Sequence, residues 1–86
     1  MIAILRPTRG IEFSASADSI EQALEGYENR KFRTWDLPIP DSFNELVEKA
    51  LQTSAQEFLF VEEDVIIPVN AISLMRDLNV DIAAIN

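Results

Sequence analysis

The stretch that most constrains this chain is Glu57-Phe58-Leu59-Phe60-Val61-Glu62-Glu63-Asp64, continued by Val65-Ile66-Ile67-Pro68. Residues 58–61 are apolar with no polar alternation. That is the pattern of a strand buried on both faces, in a parallel sheet covered by helices. Three carboxylates then arrive together at the strand's C-terminal end, which is where open α/β sheets bind ligands. If the extended chain continues, side chains alternate, so Glu62 and Asp64 share a face and Glu63 points away. Two carboxylates on one face repel each other, and a hard divalent cation such as magnesium or manganese would hold them together. The competing reading is a solvated acidic turn that ends a strand and keeps it soluble.

Composition narrows the choices. The 86 residues allow one small domain, here taken as 1–86, and 48% are apolar, enough for a core. No apolar run approaches the roughly 20 residues of a membrane span. The opening Met1-Ile2-Ala3-Ile4-Leu5-Arg6 lacks the basic segment and length of a signal peptide, so the expected location is cytoplasmic. Cysteine and histidine are absent. This excludes disulfides, thiolate metal sites and Ser-His-Asp or Cys-His catalysis, and it disfavours zinc. The net charge of −8 makes polymeric nucleic acid an unfavourable partner. A single phosphorylated small molecule remains compatible, because a bound cation inverts the local charge.

Along the chain, residues 2–5 read as a buried first strand, closed by Arg6-Pro7-Thr8-Arg9-Gly10. Residues 11–17 read as a loop. Asp18 then suits a helix N-cap, with Glu21 completing a capping box, and Ile20, Ala23, Leu24 and Tyr27 form one apolar face. Gly26 and Asn29 mark its end. Residues 31–35 predict a short second strand, whose polar content fits a sheet edge. Leu37-Pro38-Ile39-Pro40 reads as an extended connector. Asp41 or Ser42 is expected to cap a helix with the apolar stripe Phe43, Leu46, Val47, Ala50 and Leu51. A third helix is expected from about Asn70, with Ile72, Leu74, Met75 and Leu78 facing inward and Asn79 at its end. Residues 80–85 predict a fourth, apolar strand. The order β-α-β-α-β-α-β predicts a three-layer α/β/α fold with a parallel sheet of four strands and right-handed crossovers. An apolar strand at that position is rarely a natural edge. The expectation is therefore a piece of a longer protein, with self-association through the exposed sheet edge as the alternative.

Taken together, these stretches resemble the nucleotide-sugar-binding half of family-2-like glycosyltransferases with the GT-A fold. Arg6-Pro7-Thr8-Arg9-Gly10, after its strand, resembles the family's "I-P-T-R-G" opening. Leu37-Pro38-Ile39-Pro40-Asp41-Ser42-Phe43-Asn44 is similar to the segment entering the helix before the metal strand. Residues 58–68 resemble the "F-L-F-x-D-D-D-V-x-x-P" block that carries the D-x-D motif, and Asp81-Ile82-Ala83-Ala84-Ile85 resembles the next strand. Two positions depart from the pattern. Glu62 replaces the first aspartate of the motif, and Phe43 stands where an arginine often precedes Asn44.

The resemblance implies a Rossmann-like nucleotide-binding half of a hexosyltransferase. Asp64 would ligate Mn²⁺ or Mg²⁺ bridging the donor's phosphates, with Glu62 assisting through the metal or the ribose hydroxyls. Residues 7–10 would line the nucleotide pocket, with Thr8 and Arg9 as donor contacts and Arg9 on a phosphate or base. Asp41 and Asn44 would meet the donor at a helix start. Each role has a plainer competitor. Thr8 and Gly10 shape a turn, Arg9 is a solvated charge, Asp41 is a helix cap, and Trp35 is a strand aromatic rather than a sugar platform. The resemblance supplies no catalytic base, and the acceptor part would lie outside this chain.

Two other classes compete. Asp64 with Pro68 resembles the phosphoacceptor block of receiver domains, which are also parallel α/β and magnesium-dependent. Receivers carry an acidic pair after the first strand, where this chain has Arg6-Pro7-Thr8-Arg9. A non-catalytic interaction module with an acidic rim needs no motif.

Overall fold

The computed structural model describes residues 1–9, 13–35, 37 and 39–79, with the side chain of Ile39 outside that description. They form β1 (Ile2–Thr8), α1 (Ser14–Ala23), β2 (Asn29–Trp35), α2 (Ile39–Leu51), β3 (Glu57–Phe60) and α3 (Ala71–Asp77). Among the described residues the fold is a small α/β unit with a parallel sheet of three strands in the order β2-β1-β3 and three helices. The expected fourth strand at 80–85 lies outside the described residues.

β1 is central. It pairs with β2 from Ile2↔Asn29 to Thr8↔Trp35 and with β3 from Ile2↔Glu57 to Leu5↔Phe60. Alternate residues of β1 face opposite ways and meet different helices. Ile2 and Ile4 cluster with Ile20 and Leu24 of α1 and Ile72 of α3. Ala3 and Leu5 cluster with Leu46 and Ala50 of α2. The chain thus steps from β1 out to β2, then back across β1 to β3. That reversal puts α1 and α2 on opposite faces of the sheet. It also splays the loops that leave β1 and β3, the topological switch point of an open α/β sheet.

Several boundaries differ from expectation for local reasons. β1 runs through Pro7 rather than stopping at Leu5. The Leu5 carbonyl accepts the Val61 amide, so Leu5 faces the β3 side, and Pro7 faces it two residues on. β1–β3 pairing ends at Leu5↔Phe60, so the missing Pro7 amide interrupts no ladder bond. α1 begins at Ser14, not after Asp18, and Asp18 is an exposed mid-helix residue. The Ala17 amide already bonds the Phe13 carbonyl, closing the first turn one stage earlier. α2 begins at Ile39, so Pro40 lies in its first turn instead of in an extended connector, and Asp41 is a first-turn acid rather than the cap. Proline is tolerated there because first-turn amides have no partner within the helix, and the acid suits the positive helix end.

Two parts of the expected core are not buried. In α2, Leu46 and Ala50 are fully buried but Leu51 is 68% exposed. In α3, Ala71 and Ile72 are buried and Met75 packs beside them, whereas Leu74 and Leu78 face out. β3 is also not covered on both faces among the described residues. Leu59 is its buried residue, and Phe60 is exposed on one side with its ring edge-on to Phe43, centroids 5.1 Å apart. The α3 end matches expectation: Asn79 takes a left-handed φ of 50°, a conformation asparagine tolerates after a helix. Among the described residues no helix is long and apolar enough to cross a membrane.

Candidate functional site: the cleft at the sheet's C-terminal edge

A cleft of about 480 Å³ opens where β1 and β3 end. Pro7, Thr8 and Arg9 come from the end of β1, and Glu62, Glu63 and Asp64 from the turn after β3. Ser42 of α2 and Leu37 before it also line the cleft. Of the residues expected at a donor or metal site, Thr8, Arg9, Glu62 and Asp64 therefore share one cleft. Asp41 and Asn44 are exposed on α2 and do not line it. Gly10 lies outside the described residues.

All three carboxylates line the cleft, and the strand alternation expected to turn Glu63 away from Glu62 and Asp64 does not reach them. The strand ends at Phe60, and the Val65 amide bonds the Glu62 carbonyl, so residues 62–65 make a turn. Within it Glu62 and Asp64 are exposed and Glu63 is only 6% exposed. Strand alternation plays no part; what draws Glu63 inward is Arg9. One Glu63 oxygen accepts the Arg9 backbone amide at 2.9 Å, and the other accepts Arg9 Nε at 2.7 Å. The Arg9 amide, then the Arg9 side chain, hold the Glu63 carboxyl below the usual glutamate range. The hydrogen bond to Glu63 in turn raises the Arg9 pKa, and the charges of Glu63, Asp64 and Glu62 add to that.

A second set of bonds fixes the same turn from below. Arg6 is fully buried, on the β1 face shared with Ile2 and Ile4. Its Nη2 donates to Ser16 Oγ at 3.0 Å and reaches the Glu63 carbonyl at 3.5 Å. The Phe13 amide donates to that same carbonyl at 3.2 Å. Ser19 Oγ accepts the Ile67 amide at 3.1 Å and donates to the Ser16 carbonyl at 2.7 Å. The backbone of the acidic turn is thus bonded to α1 and β1, while Glu62 and Asp64 remain exposed to solvent. On the opposite wall, Thr8 Oγ1 donates to the Thr34 carbonyl at 2.7 Å, and the Thr34 and Ser42 hydroxyls bond each other. Thr8 shapes the wall with its donor already committed.

Reading the sequence missed Arg6, Ser16, Ser42 and Glu63 as parts of this site. Arg6 was findable: it continues the alternation Ile2, Ile4 toward the core. The serine contacts were not, because each bridges elements far apart in the chain.

Chemically, three carboxylates against one guanidinium leave the cleft net negative. An anionic ligand therefore needs a cation with it. Among the described residues no three acidic groups converge to hold a metal ion. Glu62 and Asp64 are instead a pair of hard oxygen donors. Magnesium commonly takes one or two carboxylates plus substrate phosphates rather than an all-protein cage, so the donor set fits a cation that arrives with a phosphate ligand. No family model, curated protein or solved structure matches the chain.

Proposed function

We propose that this chain is a glycosyltransferase-like domain that binds a nucleoside diphosphate sugar through a divalent cation at Glu62 and Asp64. The observation that carries the reading is the convergence of Thr8, Arg9, Glu62 and Asp64 in one cleft at the switch point of a parallel sheet. Ligands bind such sheets at this place, and the volume falls within the roughly 300–1,000 Å³ typical of small-molecule sites. Bound there, Mn²⁺ or Mg²⁺ would neutralise charge gathering on the departing diphosphate. Glu62 and Asp64 would hold it, and Arg9 would offer terminal guanidinium nitrogens to phosphate oxygens. Leu37 and Pro7 would exclude water beside them. No residue of the cleft is assigned as the base an inverting transfer needs, so these residues alone are expected to bind donor without transferring sugar.

The test is calorimetry with a panel of nucleoside diphosphates, with and without manganese. Manganese-dependent binding by the wild type, lost in Asp64→Ala with an unchanged circular dichroism spectrum, supports the reading. Equal affinity in that variant removes it. Covalent modification by a small phosphodonor, with no nucleotide binding, favours a receiver-type domain instead.

A further inference from the structure

Arg9 and Glu63 form a pair with unequal exposure. The Arg9 side chain is 84% exposed and the Glu63 side chain 8%. Glu63 does not grip the outer end of the guanidinium. It takes the backbone amide with one oxygen and Nε with the other. Among the described residues no other bond to the Arg9 side chain is formed, so both terminal nitrogens are unbonded on a residue that lines the cleft. The Glu63 backbone is held in place, its carbonyl bonded by the Phe13 amide and approached by Arg6, and its carboxylate is held by the Arg9 amide. An exposed arginine ordinarily samples many rotamers and loses that freedom on binding. Here the Nε bond to Glu63 restricts part of that freedom in the free protein.

We infer that Glu63 is a positioning residue: it clamps Arg9 side-on so that its two terminal nitrogens are presented as a preformed fork for a phosphate of a diphosphate ligand. The planar guanidinium matches two phosphate oxygens in one plane, and the Nε bond to Glu63 restricts that plane in advance. The inference rests on the diphosphate reading above and adds a role for the middle acid of the turn, which no cation contact explains.

Charge alone makes the opposite prediction, and this makes the idea testable. Removing a carboxylate from a net-negative cleft should tighten an anion; removing a clamp should loosen it. The probe is inorganic pyrophosphate with magnesium, titrated into the full chain by calorimetry. Glu63→Gln should weaken binding by about tenfold, the scale of one charge-assisted contact. Arg9→Lys keeps the charge and the backbone amide bond to Glu63, loses the Nε bond, and should weaken binding similarly. The double variant should be no weaker than either single one, because both remove the same contact. In the nitrogen-15 spectrum, the Arg9 Nε proton should exchange slowly in the free wild type, and pyrophosphate should shift the Arg9 terminal nitrogens.

A folded Glu63→Gln variant that binds as tightly as wild type, or tighter, overturns the inference. If that variant does not fold, an undiminished Arg9→Lys affinity or an unmoved Arg9 resonance overturns it equally, as does wild type that ignores pyrophosphate. The two readings fail separately. Binding that depends on Arg9 and Glu63 but not on magnesium or Asp64 keeps the clamp and removes the cation site. Magnesium-dependent binding indifferent to Glu63 does the reverse.

Discussion

Ser16, in α1, donates its hydroxyl proton to the carbonyl of Val65, 49 positions further along, while its oxygen accepts from Arg6 Nη2. One fully buried hydroxyl thereby joins the first helix, the central strand and the acidic turn.

Ser16→Ala should therefore destabilise well beyond a surface change. It strands the Val65 carbonyl and removes a neutral acceptor from a buried guanidinium, at a cost of about 1–3 kcal/mol. Urea unfolding at neutral pH checks this. A loss below about 0.5 kcal/mol, typical of neutral surface substitutions, would show that water replaces the hydroxyl.

The two leucines of α2 should separate sharply. Leu46 is fully buried against Ala3 and Leu5, and Leu46→Ala should cost about 2–5 kcal/mol. Leu51 is mostly exposed, and Leu51→Ala should stay within about 0.5 kcal/mol of wild type. Equal losses in denaturant melts would mean that Leu51 is covered in solution.

Acid should weaken the tie between β3 and α3. Arg76 donates through Nε at 3.0 Å and through Nη2 to the two oxygens of Glu57, and this hydrogen bonding lowers the Glu57 pKa. The unfolded chain then binds the proton more readily than the folded one. The pair's stabilisation is present above the unfolded glutamate value of about 4.3 and is lost as pH falls through the lower folded value. Both side chains are 46% exposed, so the effect is at most about 1 kcal/mol. Urea midpoints of wild type and Glu57→Gln should differ near neutrality and converge in acid. A constant gap would exclude titration of this pair.

Gly26 follows α1 with a φ of 86°, and a side chain added there would meet nothing within 4 Å. Gly26→Ala should still cost about 1 kcal/mol, from the left-handed backbone alone. A neutral or stabilising result by thermal melting would mean that the turn relaxes to another conformation.

How much of this was legible in the chain depends on the reach of each interaction. Helical stripes and apolar runs are local, and they located α1, α2, α3, β1 and β3. They also placed Thr8, Arg9, Glu62 and Asp64 at strand ends, where parallel topology gathers them. The start of α1 was hidden because Ser14-Ala15-Ser16-Ala17 has no apolar period. Serine weakly favours turns in isolation, and only the bonds of Ser16 and Ser19 to the turn after β3 give it a helical role. Leu51, Leu74 and Leu78 show the converse: a residue can fit a helical stripe and still point past the edge of its partner. Glu63 was expected to point away from Glu62 and Asp64 by an alternation that does not extend that far; it lines the same cleft, and its partner, Arg9, is 54 positions away.

The placement of β1 between both of its neighbours has a consequence for biogenesis. It is synthesised before either β2 or β3, and parallel pairing demands a full crossover for each. Its apolar residues therefore wait unsealed while the rest of the unit emerges, and such long-range closure is slow. The acidic surplus carried by the following segments would keep that interval soluble, by mutual repulsion between nascent chains.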